Sequence, residues 1–299
     1  MRNFRFSFIA MGAPCELRFY AASDEQAQQA RTAAQAEVLR LESKYSRYRD
    51  DSLTTRVNRS AGNARGVEVD EETAGLLDYA QAAYQQSGGL FDITSGVLRR
   101  VWDFKQKKTP TPAELTALLP IIGWEKVQWQ RPRIALPIVG MELDFGGYVK
   151  EYAADSAARV CREQGVRHGF VELGGDISVI GPHPDGAAWQ VGIQHPRRPQ
   201  EPIATIKLSE GGIASSGDYE RYFELNGKRY CHILNPLTGW PAEGLQAVSV
   251  AAAQCLVAGT ASTVAMLKGS DEGPRWLESL GLPFLLVESH GAVRQNGLV

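Results

Sequence analysis

The chain has 299 residues, 43% of them apolar, and its 32 basic and 34 acidic side chains give a formal net charge of −2. This balance excludes a protein that binds nucleic acid through a general excess of positive charge, and the apolar content excludes an intrinsically disordered chain. No apolar run approaches the ~20 residues that a membrane-spanning helix requires.

In chain order, the N-terminal part predicts two strands and then several helices. Residues 4–10 and 15–20 read as strands joined by a turn at Gly12-Ala13-Pro14. Small and apolar residues at helical spacing predict a helix from 24 to about 44. A polar loop is expected over 46–66, followed by helices at 71–86, from Thr111 onward and at 149–164.

Beyond residue 169, short strand-like runs alternate with turns rich in glycine and proline. These runs lie at 170–173, 189–193, 203–208, 219–225, 229–234 and 248–253, and they precede helices at 255–268 and 274–280, a strand at 284–287 and a short terminal strand. Helices and strands mix without a regular βαβ repeat, and no linker separates two halves. We therefore predict an α+β fold, a single compact domain over 1–299 with mixed sheets and flanking helices.

The cysteines predict a reducing environment. Cys15, Cys161, Cys231 and Cys255 are far apart, and none forms a C-x-x-C motif that would indicate a zinc or redox site. We expect four buried thiols and a cytoplasmic protein. An exported protein whose leader had been removed would show the same features, so a periplasmic location stays open.

The 30 glycines, about 10% of the chain against a usual ~7%, are concentrated in clusters that also contain acidic or hydroxyl side chains. Glycine lets the backbone approach a ligand closely and present its N–H groups to anionic oxygens. Gly146 and Gly147 precede the predicted helix at 149–164, and with Lys150 they form a candidate diphosphate site. A single Gly-Gly pair is more often only a tight turn.

His232 lies where a predicted strand enters a turn. Such a histidine can act as a general base near neutral pH, but a histidine that only hydrogen-bonds the turn explains the pattern equally well. The sequence contains no H-x-x-x-H, no G-x-S-x-G, no G-x-G-x-x-G and no G-x-x-x-x-G-K-[ST]. These absences argue against a histidine zinc site, a serine hydrolase, a Rossmann fold and a phosphate-binding loop of the NTPase type.

Taken in order, the motifs of the chain resemble those of the FAD:protein FMN transferases, the ApbE-type flavin transferases. The matching segments cover nearly the whole chain: Met11-Gly12-Ala13, Ser46-Arg47-Tyr48, Gly89-Leu90-Phe91-Asp92-Ile93-Thr94, Leu143-Asp144-Phe145-Gly146-Gly147 with Lys150 and Asp155, Gly174-Gly175-Asp176, Trp189-Gln190-Val191-Gly192-Ile193 with Pro196-Arg197, Ser215-Ser216-Gly217-Asp218-Tyr219, and His232-Ile233-Leu234-Asn235-Pro236-Leu237-Thr238-Gly239. Each fragment is short, but the ordered set is highly specific.

The resemblance implies that FAD binds with its diphosphate near a magnesium ion, that FMN moves to a Thr or Ser hydroxyl of a target flavoprotein, and that AMP leaves. It implies FAD contacts at Met11, Tyr48, Asp92, Gly146, Gly147, Lys150, Gly175, Asp176, Ser215, Gly217 and Asp218. His232 is our candidate to take the hydroxyl proton, and Thr263 is the second catalytic candidate. Tyr48 either packs on a flavin or adenine ring or belongs to the core.

Two alternatives to the transferase follow from the same resemblance. The first is an FAD-binding protein of this fold that has lost transfer, and the second is a pyrophosphatase that splits FAD into FMN and AMP.

One segment departs from the family pattern. The resemblance implies metal contacts at Thr263, at position 259 and at Val149, but position 259 is a glycine where the family has an aspartate. Because a carboxylate is the natural ligand of magnesium, its loss weakens the site or moves it to another acid, with Asp176 and Asp218 as candidates. A glycine inside a helix also costs ~1 kcal/mol relative to alanine, which suggests that something else needs the space.

A second departure accompanies the first. Glu151 follows Lys150 where the family commonly has glycine, and it is a candidate part of the same altered site.

Overall fold

The computed structural model describes residues 1–298 and contains both helices and strands along its whole length. The helices are α1 (Asp24–Tyr45), α2 (Leu53–Arg59), α3 (Glu71–Ser87), α4 (Pro112–Leu118), α5 (Val149–Glu163) and α6 (Cys255–Ser279). The strands are β1 (Arg2–Ala10), β2 (Ala13–Ala21), β3 (Val67–Glu68), β4 (Gln128–Gln130), β5 (Arg133–Ala135), β6 (Gly169–Leu173), β7 (Asp176–Gly181), β8 (Trp189–His195), β9 (Arg198–Leu208), β10 (Gly212–Gly217), β11 (Tyr222–Leu225), β12 (Lys228–Cys231), β13 (Leu245–Ala252), β14 (Phe284–Glu288) and β15 (Val293–Asn296).

Eight strands form one antiparallel sheet at the centre of the molecule, in the order β1-β2-β6-β7-β10-β13-β14-β15. Successive side chains of a strand point to opposite faces, so each face has its own apolar layer. On β6, Val171 and Leu173 belong to the core that includes α1, α5 and α6, whereas Phe170 belongs to the layer under the β8–β9 hairpin. The predicted α+β fold, a single compact domain that combines helices and sheets, is confirmed, although the named strands pair only antiparallel within residues 1–298.

Most predicted elements are present, but α2 and the strands β3, β4, β5, β7 and β10 were missed. The expected polar loop over 46–66 contains α2, whose first turn is capped by Ser52 accepting a hydrogen bond from Thr55 N at 3.0 Å. A helix of seven residues is too short to show apolar periodicity. The central strands β7 and β10 were also missed, and the glycine and serine content of β10 is typical of a loop.

The two predicted C-terminal helices form one element with a break. Within α6, Gly269 has φ of +75°, a left-handed conformation that interrupts the helix between the two predicted segments. No helix within residues 1–298 is long and apolar enough to cross a membrane. The four cysteines are buried free thiols, as expected.

Candidate functional site

The turn between β6 and β7 brings an acidic residue to the edge of the site. Gly174 and Gly175 have φ of +59° and +90°, which other residues adopt only with strain. Gly174 N donates to Pro14 O at 2.9 Å, and a Cβ at Gly174 would lie 2.9 Å from that of Ala13. The glycine pair therefore lets this turn pack against the start of β2 and sets Asp176 at the first position of β7.

Lys150 and Asp176, both predicted FAD contacts, meet at this point. Lys150 Nζ donates to Asp176 Oδ2 at 2.5 Å, and Asp176 Oδ1 accepts from Ser215 N at 3.1 Å. Burial works against the charge of Lys150, but Asp176 and Glu151 outweigh it and raise its pKa above the ordinary value. The lysine therefore carries a positive charge at neutral pH.

The N-terminus of α5 opens towards solvent beside this ion pair. Gly146 and Gly147 precede it and are exposed, and Asp144 Oδ1 accepts from Gly146 N at 2.9 Å. A Cβ at Gly147 would meet no atom of residues 1–298 within 4 Å. Backbone N–H groups at a helix start attract anionic oxygens, and Lys150 in the first turn adds a full charge. This end of α5 can hold a phosphate or diphosphate group.

Tyr48 lies at the surface, which excludes the core interpretation. Its side chain is 80% exposed, and its hydroxyl accepts from Arg47 Nη2 at 2.7 Å. The Arg47 guanidinium lies 4.8 Å from the ring centre and also binds the Asp144 carboxylate. An exposed ring linked to the loop before α5 can stack on a planar ligand.

Hydroxyl groups of β10 and α6 form a cluster that includes Thr263. Ser216 Oγ lies 2.8 Å from Ser262 Oγ and 2.9 Å from Thr263 Oγ1. Ser215 Oγ lies 2.7 Å from Ser249 Oγ on the neighbouring strand. The structure thus places Thr263 against Ser216 of β10, whereas the side chain of Ser215, on the opposite face of that strand, contacts Ser249 instead.

The space beside Gly259 is filled by Glu151. A Cβ at Gly259 would lie 2.6 Å from Glu151 Cγ and 2.8 Å from its Oε1. Glu151 is only 8% exposed, and its Oε2 has no hydrogen-bond partner in the described part of the chain. Burial, assisted by the nearby charge of Asp176, raises the pKa of Glu151. The glycine therefore makes room for a carboxylate from the neighbouring helix.

The oxygen-bearing side chains at this site are of the type that binds a hard divalent cation. Residues 1–298 nevertheless contain no group of three or more His, Cys, Asp or Glu that could hold a metal ion. Carboxylate and hydroxyl oxygens, as on Glu151 and Thr263, are ligands that magnesium accepts. Gly259 and Val149 have no side-chain donor atom, so each could contribute only a backbone carbonyl. The unpartnered Glu151 oxygen is the feature that fits a cation best.

His232 follows β12 and is poised as a neutral base. Its backbone N donates to Arg221 O at 3.0 Å. The side chain is exposed, and desolvation by the neighbouring protein together with the charges of Arg221 and Lys150 lowers its pKa to about 4. A histidine with this pKa is unprotonated at pH 7 and can accept a proton.

Two predicted acidic FAD contacts bind other protein groups. Asp92 is buried, accepting from Thr94 N at 2.8 Å, from Thr94 Oγ1 at 2.7 Å and from Trp124 N at 3.1 Å. Asp218 accepts two hydrogen bonds from Arg197 at 2.6 Å each. Direct contact of either with FAD stays a prediction.

Two further predicted contacts lie at backbone positions. Met11 has φ of +54° in the β1–β2 turn, and its N donates to Glu42 Oε1 at 2.7 Å. Gly217 packs so closely on the Tyr219 ring that a Cβ would overlap it. Their roles towards FAD also stay predictions.

The sequence analysis named Glu151 as a candidate part of the altered site at position 259, but it did not predict that the two residues are in contact. The signal was present as two reciprocal departures, a glutamate where the family commonly has glycine and a glycine where it has aspartate. Their contact could not be recognised without the packing of α5 against α6.

Comparison with known proteins agrees with the resemblance. The chain is 30% identical over 248 residues to the FAD:protein FMN transferase of Vibrio cholerae, covering 81% of this chain and 74% of that protein. It is 31% identical over 258 residues to the protein of the same name from Salmonella typhimurium, covering 82% and 73%. The crystal structure of the ApbE protein of Thermotoga maritima matches with a TM-score of 0.92 and 29% identity, covering 99% of this chain and 97% of that one. The ApbE family model matches residues 11–286, and the chain therefore belongs to the ApbE family.

Proposed function

We propose that this chain is an FAD:protein FMN transferase, which moves FMN from FAD to a Thr or Ser hydroxyl of a target flavoprotein and releases AMP. The observation that carries the proposal is the open N-terminus of α5, where Gly146, Gly147 and the charged Lys150 form an anion site in a chain of the ApbE family. The names of its relatives give the same activity.

The reaction exchanges one phosphorus–oxygen bond for another. The acceptor hydroxyl oxygen attacks the phosphorus of the FMN half, and the bond from that phosphorus to the oxygen of the AMP half breaks. AMP leaves with the electron pair. Negative charge grows on the leaving phosphate, where Lys150 and the N–H groups at the start of α5 stabilise it.

His232 is our candidate acceptor for the hydroxyl proton. Its pKa of about 4 keeps it neutral throughout the physiological range. The Lys150 charge acts on it, so the base lies near the anion site. Removal of a proton as the oxygen attacks makes the hydroxyl a better nucleophile.

We further propose magnesium as the metal, with Thr263 as one of its ligands. When bound, magnesium would add positive charge beside the diphosphate oxygens. The hydroxyl of Thr263 is held towards β10 by Ser216, which orients it whether or not a cation is present.

The direct test is incubation of the purified protein with FAD, Mg²⁺ and a target flavoprotein domain. We expect covalent flavin fluorescence on the target in a denaturing gel, with one AMP released per flavin attached. A target whose acceptor hydroxyl is replaced by alanine is the control. Tight FAD binding without covalent flavin at any Mg²⁺ concentration would favour a binding protein, and AMP release without target would favour a pyrophosphatase.

The role of His232 is tested by His232→Asn. Loss of a general base lowers the transfer rate by about 10²-fold or more, with FAD affinity nearly unchanged. For the unchanged protein, the acid limb assigned to His232 lies near pH 4, because the histidine protonates only there. His290→Asn changes an exposed histidine and is the matched control. An unchanged rate in His232→Asn would assign the proton to another group.

A further inference from the structure

We propose that Glu151, reaching across from α5, supplies the carboxylate ligand of the divalent cation in this chain, in place of a residue at position 259 of α6. The inference deepens the proposed function and rests on it for the place of the cation. It concerns a pair of residues in which this chain departs from the pattern of the family it belongs to.

The first argument is the position of the carboxylate. An acid at position 259 would project from α6 into the volume that Glu151 occupies, since a Cβ there would lie 2.6–2.9 Å from three atoms of the Glu151 side chain. Gly259 and Thr263 are four residues apart and lie on the same helix face. The Glu151 carboxylate therefore occupies the part of the site next to the Thr263 turn.

The second argument is the unused oxygen. Glu151 is only 8% exposed, and its Oε2 finds no hydrogen-bond donor among residues 1–298. A buried carboxyl oxygen without a partner is unfavourable unless a cation or water satisfies it. A divalent cation satisfies it most strongly.

The third argument is the state of the other acids. Asp176 uses Oδ2 for Lys150 and Oδ1 for Ser215 N. Asp218 uses both oxygens for Arg197. These two residues were the alternative ligands suggested by the sequence, and both already have protein partners. Glu151 alone of the three acids retains a free oxygen in the described structure.

A competing explanation is a structural one, in which Glu151 is a neutral carboxylic acid that shares a proton with Asp176. The neutral amide in Glu151→Gln has nearly the same shape as such an acid. If Glu151 is only structural, this variant leaves cation affinity unchanged. If Glu151 is a ligand, the variant folds and loses affinity.

The experiment measures Mn²⁺ affinity by the electron paramagnetic resonance signal of the free ion, with and without saturating FAD and always without target protein. We expect Glu151→Gln to weaken Mn²⁺ binding at least tenfold while the circular dichroism melt stays close to that of the unchanged protein. Glu163→Gln removes the same charge from the exposed end of α5 and is the control. An affinity within twofold of the unchanged protein overturns the inference, as does the absence of Mn²⁺ binding by the unchanged protein in both conditions.

A swap provides the second test. Glu151→Gly combined with Gly259→Asp moves the carboxylate back to α6 and vacates the space that it needs. We expect the double variant to recover Mn²⁺ affinity to within about threefold of the unchanged protein, while Glu151→Gly alone remains weak. Failure of the swap together with full affinity in Glu151→Gly would overturn the inference even if Glu151→Gln misfolded.

The two proposals fail in distinguishable ways. Mn²⁺ binding that depends on Glu151, in a protein that attaches no flavin to any target, contradicts the transferase but supports the ligand assignment. Flavin transfer with unchanged Mn²⁺ affinity in Glu151→Gln supports the transferase and overturns the assignment.

Discussion

Two carboxylates of α5 lie one helical turn apart, and each contacts α6, but their surroundings differ. Asp155 accepts from Cys255 N and Leu256 N at 3.0 Å each, and from Ser178 Oγ at 2.8 Å. It therefore caps the first turn of α6 from a neighbouring helix.

Glu151, four residues earlier, contacts the next turn of α6 at Gly259. Here the backbone offers no free N–H groups, because they already bond within the helix. One oxygen of Glu151 accordingly has no protein partner within residues 1–298. The difference teaches that the same side-chain chemistry is structural at a helix start and available to a ligand one turn further along.

The largest expected effect comes from removing the Asp155 carboxylate, which caps α6. Asp155→Ala leaves two backbone N–H groups of α6 and one hydroxyl without their acceptor, and we expect a loss of about 3 kcal/mol in the free energy of unfolding. Urea denaturation measures it. Asp155→Asn keeps one acceptor and should lose about half as much. A loss below about 1 kcal/mol in Asp155→Ala would show that water replaces the carboxylate.

The second-largest effect is expected where Glu151 packs against Gly259. Gly259→Asp places a Cβ against Glu151 and a second acid beside it, so we expect a loss of about 2 kcal/mol in stability. Thermal melts of this variant, of Glu151→Gly and of the double variant measure the coupling. The double variant should recover most of the loss. If Gly259→Asp lowers stability equally in the unchanged protein and in Glu151→Gly, the Glu151 side chain is not what fills the space beside Gly259.

A smaller effect on stability is expected at Thr263, where the variant distinguishes a role in metal binding from a role in FAD binding. Thr263→Ala removes a hydroxyl that contacts Ser216 Oγ, and we expect the free energy of unfolding to fall by at most about 1 kcal/mol. Metal-dependent transfer should fall more than FAD affinity, measured by fluorescence titration. Thr263→Ser keeps the hydroxyl and should retain most of the activity. Equal losses of transfer and FAD affinity would argue against a role at the metal.

The smallest expected effect lies in the stability of Glu151→Gln. This residue forms no hydrogen bond through Oε2 in the described chain, so we expect the free energy of unfolding in metal-free buffer to change by less than about 1 kcal/mol. Set against the loss in Asp155→Ala, this small change sharpens the distinction between the two acids. A loss as large as that of Asp155→Ala would make Glu151 structural as well.

Local sequence signals predicted much of the framework. Apolar spacing and caps predicted α1, α3 and α5 to within a few residues, and Thr111 forms the expected capping box at α4. The Gly146-Gly147 pair before α5 predicted an anion site, because a helix start and its preceding glycines are neighbours in the sequence. Short elements escaped, since α2 has only seven residues and β10 has the composition of a loop.

The sequence by itself determined the family, the fold class, the glycine turns and the types of residue at the site, because these depend on local composition and on the order of motifs. Only the tertiary structure decided which acids are free. Asp176 and Asp218 have charged partners from distant segments, whereas Glu151 fills the space left by Gly259 with one oxygen unpaired among residues 1–298. Pairing of this kind depends on how helices and strands pack, and no local pattern encodes it.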